Sequence, residues 1–228
     1  MNDLVFDTSS IISIATNNLL DVLEQLKKRF KDDFIISDAV KREVLDHPLT
    51  IKKYKLEAIM ISNLINNNIL RKYTNINIEK KTMNLLSISN EIFLANETPI
   101  KILDKAEVES LVLTQVLQGT FVVDERNIRL LVEDYKKLAQ LLERKLDRKI
   151  KINNQNIKLF KSEIKDINII RSADMMTIAF ELGLFKDLEN KYTNRAEILD
   201  GILWGLRLRG CAISTEEIDE ILKIERVK

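Results

Sequence analysis

The stretch Leu4-Val5-Phe6-Asp7-Thr8-Ser9-Ser10 constrains this chain more than any other. A short apolar run stops at an acid, hydroxyl side chains follow, and apolar residues resume at helical spacing at Ile11, Ile12 and Ile14. This pattern predicts a buried strand that carries one carboxylate at its C-terminal tip and turns directly into a helix. Asp7 is then either the cap of that helix, since Asp, Ser and Thr all satisfy the free N–H groups of a first turn, or a functional carboxylate. The choice depends on whether other acids can converge on the same point.

Further strands are expected at Phe34–Ile36, Ile69–Leu70, Thr120–Val123 and Ile167–Ile170. Helices are expected from Ser37, as N-cap, to about Asp46, where His47-Pro48 ends the run, and over about 50–66, 80–94, 104–118, 127–149, 173–181 and 195–208. Gly119 reads as the C-cap of the helix over 104–118, and Asn75–Ile78 and Asn153–Asn156 read as loops. Asn194 with Glu197, and Ser214 with Glu217, have capping-box spacing and mark two late helix starts. Strands alternating with helices imply an α/β fold with a mainly parallel sheet. A length of 228 residues fits one domain with an elaboration.

Composition narrows the chemistry. One cysteine, Cys211, and one histidine, His47, supply neither a disulfide nor a thiolate or imidazole metal site, and they ill suit a nucleophile triad. A bound metal would need oxygen ligands, which selects Mg²⁺, Mn²⁺ or Ca²⁺. Lys and Arg (36) nearly balance Asp and Glu (35), so nucleic acid could be held only by local patches. The first residues lack a basic segment followed by a long apolar core, and no apolar run is long enough to span a bilayer. A cytoplasmic location is therefore expected, with no membrane association.

Four sets of acids stand out. Asp7 ends the first strand. Glu43 shares a helical face with Val40, Val44 and His47, which predicts burial. Asp104 and Glu107 lie three apart, continuous with the stripe of Val108, Leu111 and Val112, whereas Glu109 falls on the side expected to face solvent. Asp124 ends another apolar strand, so that in a parallel sheet it and Asp7 share the carboxyl edge, where such sheets bind ligands. Asp104 and Asp124 could equally be caps, and Glu43 a buried salt-bridge partner or part of a helix edge facing water. Like charges gathered in a cleft call for a cation, and a divalent metal is the natural one.

In this order and spacing the chain resembles the PIN-domain family of metal-dependent nucleases. The resemblance rests on Phe6-Asp7-Thr8-Ser9, on Val40-Lys41-Arg42-Glu43-Val44, on Asp104-Lys105-Ala106-Glu107, and on Val122-Val123-Asp124-Glu125-Arg126. It is closest to an archaeal and bacterial subgroup related to toxin nucleases, in which a segment near Ser172 and a Gly-Leu pair, here Gly183-Leu184, recur. It implies a three-layer α/β/α fold and hydrolysis of RNA phosphodiesters with Mg²⁺ or Mn²⁺. Asp7, Glu43, Glu107 and Asp124 would be the ligands, and Asp104 a further catalytic acid. Ser9 would orient a ligand water, or serve only as a helix-start residue, and Arg126 would touch phosphate, or stand as a plain surface arginine. The resemblance also implies a homodimer and an antitoxin or RNA-processing partner. Two departures are visible: Ala106 replaces the usual glycine, and residues from about 133 to 166 form an apparent helical insertion, followed by a helical C-terminal part from about 171. These departures keep open a catalytically degenerate module that binds RNA or protein. On the inserted helix Lys137, Arg144 and Arg148 fall on one stripe that could follow an RNA backbone or simply face water. Trp204, beside Leu203, is expected in the core.

Overall fold

In the computed structural model, which describes residues 3–74, 77–190 and 193–226, the first strand is β1 (Leu4–Phe6), followed by α1 (Thr8–Thr16) and α2 (Leu20–Arg29). Then come β2 (Phe34–Ile36), α3 (Asp38–Lys41) with a π-helical turn at Arg42–Asp46, and, after two short 3-10 turns, α4 (Lys55–Asn66) and β3 (Arg71–Lys72). The middle of the chain forms α5 (Glu79–Asn90), a hairpin of β4 (Phe93–Ala95) and β5 (Thr98–Pro99), α6 (Lys105–Leu117) and β6 (Thr120–Val122). The remainder forms α7 (Arg126–Glu133), α8 (Tyr135–Leu146), β7 (Ile150–Ile152), α9 (Asn154–Glu163), β8 (Asn168–Ile170), α10 (Ser172–Glu181), α11 (Arg195–Leu208) and α12 (Thr215–Ile224).

Five strands form one parallel sheet in the order β3-β2-β1-β6-β8, with Phe6 level with Ile36 on one side and Val122 on the other. Side chains alternate across it. Leu4, Phe6, Ile36 and Val122 join a core with residues of α1, α2, α4, α10 and α11, whereas Phe121 and Val123 join one with α5 to α9. This is the three-layer α/β/α arrangement, mostly helical around a central parallel sheet. Because the strands run parallel, the residues that follow β1, β2, β6 and β8 all emerge at the same edge. Among the described residues no helix is long and apolar enough to cross a membrane.

Several elements differ from the sequence reading, each for a local reason. The expected strand at Ile69–Leu70 starts later, at Arg71, because the N–H groups of Ile69 and Leu70 close the end of α4 on the Leu64 carbonyl. The helix expected to reach Leu94 stops at Asn90, whose side chain accepts from the N–H groups of Ile102 and Leu103. A two-residue turn at Asn96-Glu97, both at positive φ (50° and 61°), then builds the β4–β5 hairpin. The long helix expected over 127–149 is two. Asp134 leaves helical geometry (φ −149°, ψ 77°) and caps α8 through the Lys137 N–H.

The expected insertion is not purely helical, since β7 pairs antiparallel with β4 and Asn153 caps α9 in place of a loop. The fourth helix begins at Lys55 rather than Thr50, and within the expected loop at Asn75–Ile78, residues 75 and 76 lie outside the described residues. At the end of α6 Gln118, not Gly119, takes the left-handed conformation (φ 52°). Glycine is needed at 119 because a Cβ there would run into the Asp3 carbonyl oxygen. Both late capping boxes are present, and Trp204 is partly buried against the core.

Candidate functional site

Asp7 is both of the things its sequence context allowed. It is the N-cap of α1, with Oδ2 accepting the Ser9 N–H (2.9 Å) and the Ser9 hydroxyl (2.6 Å). Its other oxygen, Oδ1, is buried and has no hydrogen-bond partner, although the residue is only 2% exposed. An unpaired carboxylate oxygen in such a place is costly, and the cost appears as a pKa pushed up to about 6, by burial first and by the charge of Asp104 in addition.

Glu107 completes a capping box with Asp104: its Oε2 accepts the Asp104 N–H at 2.7 Å while Asp104 Oδ1 accepts the Glu107 N–H at 3.1 Å. Burial, together with the charges of Asp104, Asp7 and Glu125, drives the Glu107 carboxyl to about 9. Glu43 is exposed rather than buried, the reverse of the helical-face expectation. The π-helical turn, marked by the 2.9 Å bond from the His47 N–H to the Arg42 carbonyl, adds a residue to the turn and breaks the register of the face. Its carboxyl end is nonetheless enclosed and raised in pKa, chiefly by burial and further by Asp104, while the Thr8 hydroxyl holds Oε2 at 2.6 Å and partly offsets this. The charge of Asp104 thus contributes to the raised pKa of Asp7, Glu43 and Glu107 alike, after burial, so these acids lie within electrostatic reach of it.

Asp124 follows β6, the strand beside β1. It is fully buried, and both oxygens are taken by Ser172, which donates its N–H to Oδ1 (2.8 Å) and its hydroxyl to Oδ2 (2.6 Å). Beside it the Cys211 thiol is pushed up to about 12 by burial and by the Asp124 charge. The neighbour, Glu125, is the residue whose charge reaches Glu107. Glu125 was not among the candidate site residues of the sequence. The signal available was the Asp-Glu pair itself, since successive residues point to opposite sides. Ser9 ties the two strand ends together, its hydroxyl oxygen accepting the N–H groups of Asp124 (3.1 Å) and Glu125 (3.2 Å) while donating to Asp7.

Glu109, expected toward solvent, is 8% exposed, because α6 is buried around most of its circumference. Its Oε1 accepts the Ala39 N–H at 2.9 Å and so anchors the start of α3, the helix that leads to Glu43. Of the basic stripe, Lys137 and Arg144 lie exposed on α8. Arg148 lies beyond the helix end, which Asp147 closes in the left-handed conformation (φ 51°), so the three do not form one stripe. Arg126 is exposed at the start of α7.

The donor set suits a hard divalent cation: carboxylates only, one of them with a buried unpartnered oxygen, and pKa values raised by burial first and by neighbouring acids in addition. Among the described residues no three His, Cys, Asp or Glu side chains are already drawn together tightly enough to hold an ion, so binding would require Glu107 or Glu43 to swing from its present hydrogen bond.

A family model described as a PIN domain matches residues 3–136, which span β1 to the first residues of α8 and contain every acid of the cluster. No curated protein and no solved structure matches the chain.

Proposed function

Because the chain belongs to the PIN-domain family, whose members are generally nucleases that use divalent metals, we propose that it is a metal-dependent ribonuclease. The observation that carries this reading is the buried, unpartnered Oδ1 of Asp7 set among Asp104, Glu107 and Glu43. A Mg²⁺ or Mn²⁺ ion bound there would lower the pKa of a water and stabilise charge on the phosphate and the leaving oxygen. Asp7, Glu107, Glu43 and Asp104 would hold it, with Glu125 supplying the acid from the β6 side.

The residues around these acids have their own tasks. Ser9 holds Oδ2 of Asp7 and leaves Oδ1 without a partner, so that this oxygen would be free to hold a cation. Thr8 steers Glu43, and Ser9 links the ends of β1 and β6 so that the acids they carry stay in register. Asp124 positions α10 against β6 rather than serving as a ligand. No side-chain nucleophile is needed, which suits a chain with one buried cysteine and one histidine.

Cleavage of single-stranded and structured RNA in the presence of Mn²⁺, absent in Asp7→Asn, tests this reading. Equal degradation by both proteins would defeat it. A second reading, an RNA-binding module that has lost catalysis, draws on the hydrogen bonds that hold Glu107 and Glu43 away from a common ligand position. It predicts no heat of Mn²⁺ binding in calorimetry.

A further inference from the structure

Beside the acid cluster, a groove of about 750 Å³ runs between α8 and the turn joining α11 to α12. Four cations line it, Arg126, Arg144, Lys145 and Arg207, against one carboxylate, Glu125. In a chain of net charge +1 this excess is local. Some cations elsewhere on the surface are paired, as in Lys41–Asp46, Arg42–Asp38 and Arg71–Asp33. Among the described residues, Arg126, Arg144 and Lys145 have no salt-bridge partner. Arg207 is held in place by the Thr215 hydroxyl and by the Trp204 ring, 4.7 Å from the guanidinium. Apolar Leu138 and Leu142 line it, and Gly210, in a positive-φ turn (121°), adds no side chain to it.

We propose that this groove is the track for the phosphate backbone of an RNA strand entering the acid cluster. The inference rests on the ribonuclease reading for its substrate. Glu125 links the two features: it lines the groove, its charge reaches Glu107, and its N–H is held by the Ser9 that also holds Asp7. Several carboxylates gathered at one edge repel a polyanion, so a substrate needs compensating cations next to them, and these four are placed to supply it. Three of the four, Arg144, Lys145 and Arg207, lie beyond residue 136, where the family match ends. The groove thus joins the start of α7, within the shared fold, to the part of this chain that lies beyond the match. Of the expected stripe only Arg144 lines the groove, and neither Lys137 nor Arg148 does.

Binding of a fluorescein-labelled single-stranded oligoribonucleotide to the full chain in EDTA, read by anisotropy across a salt series, tests the groove apart from catalysis. Neutralising four phosphates of a single strand gives a slope of log K against log salt of about −3. The double variant Arg144→Ala/Lys145→Ala, both exposed on α8, is expected to weaken binding about tenfold or more at moderate salt and to reduce the slope by about one to two. Lys137→Ala/Arg148→Ala, outside the groove, should leave the slope within error of the wild type. Equal affinity and slope in the groove variant would overturn the proposal. So would wild-type protein that binds no RNA, an outcome that would leave the cations to an acidic protein partner. Groove-dependent binding without Mn²⁺-dependent cleavage would sustain the groove and defeat the nuclease reading. Cleavage with an unchanged KM in the groove variant would do the reverse.

Discussion

Ser172 donates both its backbone N–H and its hydroxyl to the two oxygens of Asp124, at 2.8 and 2.6 Å, across 48 positions of sequence and with neither residue exposed. The carboxylate at the tip of β6 is thus the N-terminal anchor of α10, a helix outside the family match. Ser172→Ala removes the hydroxyl from a buried acceptor and should cost about 1–3 kcal/mol of stability by urea unfolding. Calorimetry should find Mn²⁺ affinity in the folded variant unchanged. Loss of metal binding in a folded Asp124→Asn protein would show that Asp124 is a ligand after all.

The Asp7 carboxyl carries an electrostatic cost that the site has to bear. Its folded pKa, about 6, lies above the ordinary 3.8, so the folded state binds this proton more tightly than the unfolded chain. Stability is then greatest below pH 3.8 as far as this group is concerned and falls as pH rises through 6, by an amount on the order of 3 kcal/mol. Asp7→Asn should therefore be more stable than the wild type at pH 7.5 without metal, while cleavage falls by about 10² or more. Thermal melts in EDTA check the sign, and an equal or lower Tm for the variant would refute it.

Glu107, at about 9, holds a proton at neutral pH in the metal-free protein. Binding of Mn²⁺ must displace it, because a ligand carboxylate is deprotonated. Calorimetry in two buffers of different ionisation enthalpy should report release of about one proton per ion at pH 7.5, and apparent affinity should rise about tenfold per pH unit below 9. Identical heats in the two buffers would remove Glu107 from the ligand set. Saturation at a hundred times Kd should stabilise the fold by about 2.7 kcal/mol, and Asp7→Asn should lose most of that shift.

Glu109 separates scaffold from site on a single helix turn. Its Oε1 accepts the Ala39 N–H, so Glu109→Gln keeps an acceptor and should change stability by less than about 1 kcal/mol, whereas Glu109→Leu should cost about 1–3 kcal/mol. Both should bind Mn²⁺. A Glu109→Gln protein that is fully stable but cannot bind metal would place Glu109 among the ligands.

Much of the architecture is legible from near neighbours in the chain. The Asp7 tip of β1 with its helix start, the Asp104–Glu107 capping box, and the boxes at Asn194 and Ser214 rest on groups within three residues of one another. Interactions of that range are written into sequence order. The apolar run at Thr120–Val122 likewise could only be an inner strand of a covered parallel sheet. The breaks at Asn90 and Asp134 were harder to see. The first depends on bonds to Ile102 and Leu103, and the second on a single Asp leaving a periodic pattern that continues on both sides.

The sequence by itself determined that β1 and β6 would each end in an acid at the carboxyl edge of a parallel sheet. Only the tertiary structure decided what those acids meet. The partner of the Asp124 carboxylate is Ser172, 48 residues away. Whether Glu109 meets water depends on α3 lying against α6, and whether Arg144 and Lys145 face a groove depends on the chain returning from α11 past α8. Spacing along a helix or strand gives a side chain's direction. What that direction meets is set by elements distant in sequence, and burial, pKa and partner follow from that meeting.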